Sequence, residues 1–357
     1  YGFYDYLNTH NIIPYIDYRE GYPPIGFLLY FPIYYISGQN PSIFSYGFKA
    51  VNGALLIATI YLIYLIIKTT KGERRALSTS LIYALLPSVV ITNTYSNDII
   101  ALFFSSLGIY YMLKKRPGMA GLMVGLGTLS KGFPLLLLVP AILYFDKWKE
   151  RYRLISATAF TIFILSLPFL IFDVFTYYST FIHHGTRGPW ETIWALMDGW
   201  YSHGGFSHPA FDQFFYHFDL LRIYNLTPYD HAFYQWQYPL LPSLLTVAQI
   251  ALILLGVFIF KGKKQYFLQF IGFTYFSYMF FFKGYSTQFS VCTPFYALIS
   301  LTNYMLPLIL ILESSQLLQI LSWNGQSLFG ELIIDQHQIL LVSAIIIRTG
   351  IFLAILY

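Results

Sequence analysis

Apolar runs long enough to cross a bilayer recur along this chain, and the connections between them are sorted by charge. A spanning helix needs about 20 consecutive apolar residues. Runs near that length lie at 43–67, 76–94, 154–175, 240–260, 266–282, 289–312 and 339–357. Shorter candidates occupy 99–113 and the tandem pair 119–129 and 133–145. Four basic clusters punctuate them: Lys68, Lys71, Arg74 and Arg75; Lys114, Lys115 and Arg116; Lys147, Lys149, Arg151 and Arg153; and Lys261, Lys263 and Lys264. Together they hold 14 of the 21 Lys and Arg residues and fall on alternate connections, so the excess of cations on cytoplasmic loops places all four inside the cell. The pattern predicts an all-α fold, a polytopic transmembrane helix bundle of about nine or more spans with interfacial helices and a long extracytoplasmic loop.

Composition agrees with this class and excludes others. With 57% hydrophobic and 10% charged residues the chain is not a soluble globular protein. The net charge of +5 is accounted for by orientation, so no nucleic-acid partner is expected. Cys292 is the single cysteine, which rules out an intramolecular disulfide and reads as a packing residue. The first residue is Tyr1, not Met, and no apolar helix precedes the opening loop, so we expect a fragment lacking its N-terminus and first span.

The outer side then carries residues 93–98, 130–132, 176–238 and 283–288. Four regions follow: a first extracytoplasmic loop with an interfacial helix at 1–42, a transmembrane bundle at 43–175, a long outer loop at 176–238 and C-terminal transmembrane helices at 239–357. In the opening region, residues 12–24 place Asp17, Arg19 and Glu20 among Tyr15, Tyr18, Tyr22 and three prolines, ahead of the apolar run 25–38. That run is short of the about 20 residues of a span and contains Pro32, which removes a backbone donor. We read it as lying in the interface; an ordinary loop and short helix is the plain alternative. The loop 176–238 is too long for a simple connection and holds six of the eight histidines and four of the six tryptophans. Interfacial resting places explain the tryptophans.

Several residues on this outer side have chemistry to offer. Lys131 and Lys283 stand alone at the outer ends of apolar helices, against the orientation bias, where an ammonium suits a phosphate. Snorkelling to lipid phosphate is the simpler alternative. His183, His184, Arg187 and Glu191 combine imidazoles, a guanidinium able to clamp a phosphate, and a carboxylate. The remaining histidines show no tight ligand spacing, so no metal site is expected. Asn97-Asp98 opens a helix and reads equally as capping. Asn225-Leu226-Thr227 is a glycosylation triplet weakened by Pro228. Neither a phosphate-binding glycine loop nor a Gly-x-Ser-x-Gly elbow occurs.

Pro14-Tyr15-x-Asp17 followed by Tyr22-Pro23-Pro24, then Asn97-Asp98 at a helix start, then Lys131-Gly132-Phe133-Pro134, resembles the GT-C superfamily of integral-membrane glycosyltransferases. The likeness is strongest to the polyprenyl-phosphate-mannose-dependent mannosyltransferases. It covers most of residues 1–300 in layout, with short motifs, and the tail 313–357 resembles nothing familiar. The resemblance implies inverting transfer of a sugar, mannose by analogy, from a polyprenyl-phosphate donor to a lipid, glycan or protein acceptor on the extracytoplasmic side. No cofactor beyond the donor substrate is implied. The family's general base is an aspartate of the first outer loop, expected a few residues upstream of Tyr1; Asp17 and Glu20 are the fallback candidates within the chain. Lys131, Lys283 and Arg187 would hold the donor phosphate. Tyr15, Tyr22, Asp98, His183, His184, Glu191 and Gln288 would line the substrate. The implied location is the plasma membrane, or the endoplasmic reticulum membrane in a eukaryote, with membrane lipid as a partner. A transporter or lipid-linked sugar flippase is the competing class; such proteins often carry charge at mid-membrane depth, and here only Lys49 and Arg348 do so.

Overall fold

The computed structural model describes residues 8, 23–175, 177–178, 189–198, 238, 240–300, 306–328 and 334–357. Among these residues the regular structure is helical, apart from an isolated bridge between Trp190 and Gly284. In chain order the α-helices are α1 Pro24–Ile36, α2 Pro41–Lys71, α3 Glu73–Leu85, α4 Pro87–Asn93, α5 Asp98–Leu113, α6 Pro117–Thr128, α7 Leu138–Tyr144 and α8 Trp148–Phe172. They continue as α9 Ile193–Met197, α10 Leu241–Phe260, α11 Phe267–Phe281, α12 Cys292–Ser300, α13 Leu306–Leu328 and α14 Ile334–Leu356.

Fewer of these helices have spanning length than the apolar runs suggest. Pro41–Lys71, Trp148–Phe172, Leu241–Phe260 and the 339–356 part of α14 are long and apolar enough to cross a membrane. The pair α3 and α4, bent by 58° at Leu86, makes a fifth if it forms one span. Of the other runs, 99–113 and 266–282 form single helices below spanning length, α5 of 16 residues and α11 of 15. The tandem 119–129 and 133–145 becomes α6, a 3-10 turn Phe133–Leu137 and α7, because Lys131-Gly132 and Pro134 break the helical path. In the run 289–312, Pro294 lies in the first turn of α12 and Pro307 in the first turn of α13, with residues 301–305 between them outside the described residues. Helix α1 holds together through Pro32 but rises only about 20 Å, less than the about 30 Å of hydrocarbon.

The described residues divide between two compact units: 23–77, 93–175 and 177–178 belong to the first, 78–92, 189–198, 240–300, 306–328 and 334–357 to the second. In the first, α1 turns into α2 through Gly38 (φ 59°) and Gln39 (φ 62°), and Asn40 caps α2 by accepting from Ser42 N and Ile43 N at 3.0 and 3.2 Å. Helix α5 packs between α2 and α6. Helix α6 lies against α8 at very close range, since a Cβ on Gly121 would come 2.3 Å from Leu154 O and one on Gly125 would come 2.7 Å from Thr161 Cβ. Small residues let the two backbones meet where lipid supplies no hydrophobic drive, and Thr158 Oγ1 donates to Gly121 O at 3.0 Å.

In the second unit α11 packs against α10, α12 and α14, and α13 pairs with α14 along its length. Its interior is aromatic: Tyr275 stacks on Tyr296 with centroids 3.9 Å apart, and Phe260 on Phe270 at 4.9 Å. Cys292 is buried there, in agreement with its reading as a packing residue. Short helix α9 docks through Trp194, whose indole donates to Phe280 O at 2.6 Å. Residue 198 ends the described part of that segment, and its carboxylate Oδ1 accepts from Tyr238 N at 3.0 Å.

Candidate functional site

Among the described residues, each unit has a cluster of buried polar side chains. In the first unit it forms at the start of α5. Asp98 occupies the first helical turn, where the positive end of the helix dipole favours a carboxylate. Its backbone N–H donates to Ser96 Oγ at 3.1 Å. The carboxylate is 1% exposed, and Lys131 Nζ approaches Oδ2 to 2.5 Å with its own side chain 16% exposed. Lys131 therefore does not stand alone, as its isolation in the sequence suggests; folding brings it onto an acidic partner 33 positions away.

The backbone before Asp98 is fixed by α1 and α2. Asn52 is fully buried, and its amide donates to both Asn93 O and Ser96 O at 2.9 Å. Its carbonyl oxygen accepts from Tyr30 of α1 at 2.5 Å. Three of the four hydrogen bonds that one amide can make are thus spent on holding three elements together, which is what makes a buried asparagine tolerable. The turn bearing Lys131 is tied to α1 as well, because Ile25 N donates to Leu129 O at 3.0 Å. Pro134 packs onto Gly127, where a Cβ would come within 3.0 Å. Asn97 does not cap α5 through its side chain; its amide nitrogen lies over Gly26, 3.3 Å from where a Cβ would be. Ile25-Gly26 just after Pro23-Pro24, Asn97-Asp98 and the turn Leu129–Lys131, remote in sequence, therefore meet in one place.

The second unit's centre is built around Tyr285. The Arg348 guanidinium sits over its ring, 3.7 Å from the centroid. Arg348 donates to Gln319 Oε1 at 2.7 Å and to the backbone oxygen of Glu191. Gln319 donates in turn to the Glu191 carboxylate and, at 3.2 Å, to Tyr285 O. The phenol of Tyr285 meets Thr293 at 2.9 Å and accepts from Gln316 at 3.3 Å. Burial pushes this phenol above its ordinary pKa, with Arg348 pulling the other way. Gln316 also meets Ser88 Oγ at 2.7 Å, and the Glu313 carboxylate accepts from Ser88 N at 2.7 Å. Glu191, φ 54° and 1% exposed, is thus an interior anchor, not an open wall residue. Lys283 and Gln288 are half-buried in the segment joining α11 to α12. The Lys283 carbonyl accepts from Trp190 N at 3.0 Å and from Thr192 Oγ1 at 3.2 Å.

Of the other residues singled out from the sequence, Tyr15, Asp17, Tyr18, Glu20, Tyr22, His183, His184, Arg187 and the triplet at Asn225 lie outside the described residues. Sequence reasoning missed Tyr30, Asn52 and Ser96 in the first centre and Ser88, Tyr285, Gln316 and Gln319 in the second. One signal was available: Glu313, Gln316 and Gln319 recur every three residues along an apolar helix, a polar stripe on one face.

Helices long and apolar enough to cross a membrane, with polar side chains buried among the described residues, fit an integral membrane protein. Residues 21–261 match the family model of glycosyltransferase family 87, and the chain belongs to that family. It is a membrane glycosyltransferase of the GT-C-like kind. No curated protein matches the chain. The matched residues contain the whole Asp98–Lys131 centre, whereas Lys283, Tyr285, Gln319 and Arg348 lie beyond them.

Proposed function

We propose that the protein transfers a sugar, with mannose the first candidate, from a polyprenyl-phosphate donor to a hydroxyl of a lipid, glycan or protein acceptor on the extracytoplasmic side, with inversion. The observation that carries this reading is the meeting of the first turn of α1, Asn97-Asp98 and the Lys131 turn at one ion pair whose carboxylate is buried. In such a transfer the acceptor oxygen bonds to the anomeric carbon from the face opposite the breaking carbon–phosphate-oxygen bond. The departing phosphate already carries negative charge, so it needs stabilisation more than it needs a proton. Lys131, held in place by Asp98, supplies N–H donors for it; the family resemblance implies the same role for Lys283. The acceptor's proton goes to a carboxylate of the opening outer loop, where general-base help contributes about 10² to 10⁴-fold.

A flippase reading draws on Arg348, a buried cation inside a helix of spanning length. The two readings separate in one experiment. The full-length protein in membranes is supplied with labelled polyprenyl-phosphate mannose, then with other polyprenyl-phosphate sugars, and label is followed both into an acceptor and across the bilayer. Transfer that falls by about 10² or more in Lys131→Ala supports the enzyme with its phosphate cation. Translocation without transfer for every donor refutes it.

A further inference from the structure

Lys283 owes its backbone position to residues on both sides of Glu191. Trp190 N and Thr192 Oγ1 both donate to the Lys283 carbonyl, and Tyr285 N returns a bond to Trp190 O at 3.1 Å. The pairing is close-fitting, because the Trp190 ring occupies the space above Gly284, where a Cβ would come within 2.1 Å of it. Between Trp190 and Thr192, Glu191 takes the left-handed conformation, which a non-glycine residue holds only when its surroundings compel it. The compelling groups come from α13 and α14: Gln319 receives the Glu191 carboxylate, and Arg348 binds its carbonyl. The same two side chains grip the other strand of the bridge, Gln319 through Tyr285 O and Arg348 through the Tyr285 ring.

We propose that Arg348, with Gln319, is a positioning residue for Lys283, so that the C-terminal helix pair beyond the family match is a working part of the transferase. The guanidinium is suited to this because its planar fork donates in two directions at once while its face rests on an aromatic ring; a lysine offers neither the fork nor the stacking plane. The inference rests on the reading of Lys283 as a donor-phosphate cation.

The test is a double-mutant cycle in the full chain, reading the KM for the polyprenyl-phosphate donor, the KM for the acceptor, kcat and the thermal melting of purified protein. Arg348→Met is expected to raise the donor KM roughly tenfold, with the acceptor KM unmoved and Arg348→Lys restoring part of the loss. Combined with Lys283→Ala it is expected to add nothing further, because both changes remove the same contact. If Arg348→Met does not accumulate as folded protein, Arg348→Lys, which keeps the buried charge, carries the cycle. Effects that multiply in full, or a loss confined to melting temperature, overturn the positioning role while leaving Lys283 in its function. A Lys283→Ala variant with wild-type donor KM overturns the reading of Lys283 itself, and the inference with it.

Discussion

Lys131 Nζ and Asp98 Oδ2 lie 2.5 Å apart, one on the turn after α6 and the other in the first turn of α5, with the carboxylate buried and the ammonium reaching the edge of the first unit. The pair has both a structural and a chemical consequence, and substitutions separate them.

Lys131→Met leaves a buried carboxylate without its counter-charge, which costs about 3 kcal/mol of stability or more. Asp98→Asn combined with Lys131→Met removes both charges, and about the same amount is expected to return. Sugar transfer stays lost in the double variant. Thermal unfolding in detergent beside the transfer assay checks both halves; transfer recovered along with stability would make the pair purely structural.

Asn52→Leu strands the carbonyls of Asn93 and Ser96 and the hydroxyl of Tyr30, each penalised by about 1–3 kcal/mol where water cannot reach. Tyr30→Phe removes one bond only, so we expect the smaller effect, about 1 kcal/mol. Melting temperatures of the two variants should fall in that order, and the reverse order would remove Asn52 from the centre of the network.

At the contact of α6 with α8, Gly121→Leu and Gly125→Leu force side chains into the backbone and Thr161 of the facing helix, and each is expected to destabilise by about 1–3 kcal/mol or more. Gly118 sits one turn away with nothing within 4 Å of a new Cβ, so Gly118→Ala should be neutral or slightly stabilising. Expression level and melting of the three variants test the packing directly.

Because Cys292 is buried, the native chain offers little background for thiol labelling. A cysteine at Lys263 should react with a membrane-impermeant maleimide from the cytoplasmic side, and one at the exposed Tyr95 from the opposite side. Labelling of both from the same side would overturn the orientation read from the basic clusters.

Much of the architecture was legible because bilayers impose long apolar helices, and α2, α8, α10 and α14 follow that rule. The split of 119–129 from 133–145 was legible at Lys131-Gly132, whereas in the run 289–312 hydropathy averages over Pro294 and Pro307, which act one residue at a time and stand in the first turns of α12 and α13. The ends of α1, α5 and the Lys131 turn were legible as motifs, but their meeting was not, since it depends on Asn52 and Tyr30, single polar residues inside apolar runs. Arg348 was visible as a lone charge in a span. What it binds could not be read without knowing that Glu191 and Gln319 come to the same place.

The hydrogen bond from Tyr238 N to Asp198 Oδ1 joins two points of the second unit that lie 40 positions apart, closing the excursion of chain between them. The entropy lost in closing such an excursion grows slowly with its length, about 0.6 kcal/mol for each doubling. A link between Asp198 and Tyr238 therefore costs little more entropy than a shorter one would, and it anchors the start of α10 to the end of α9.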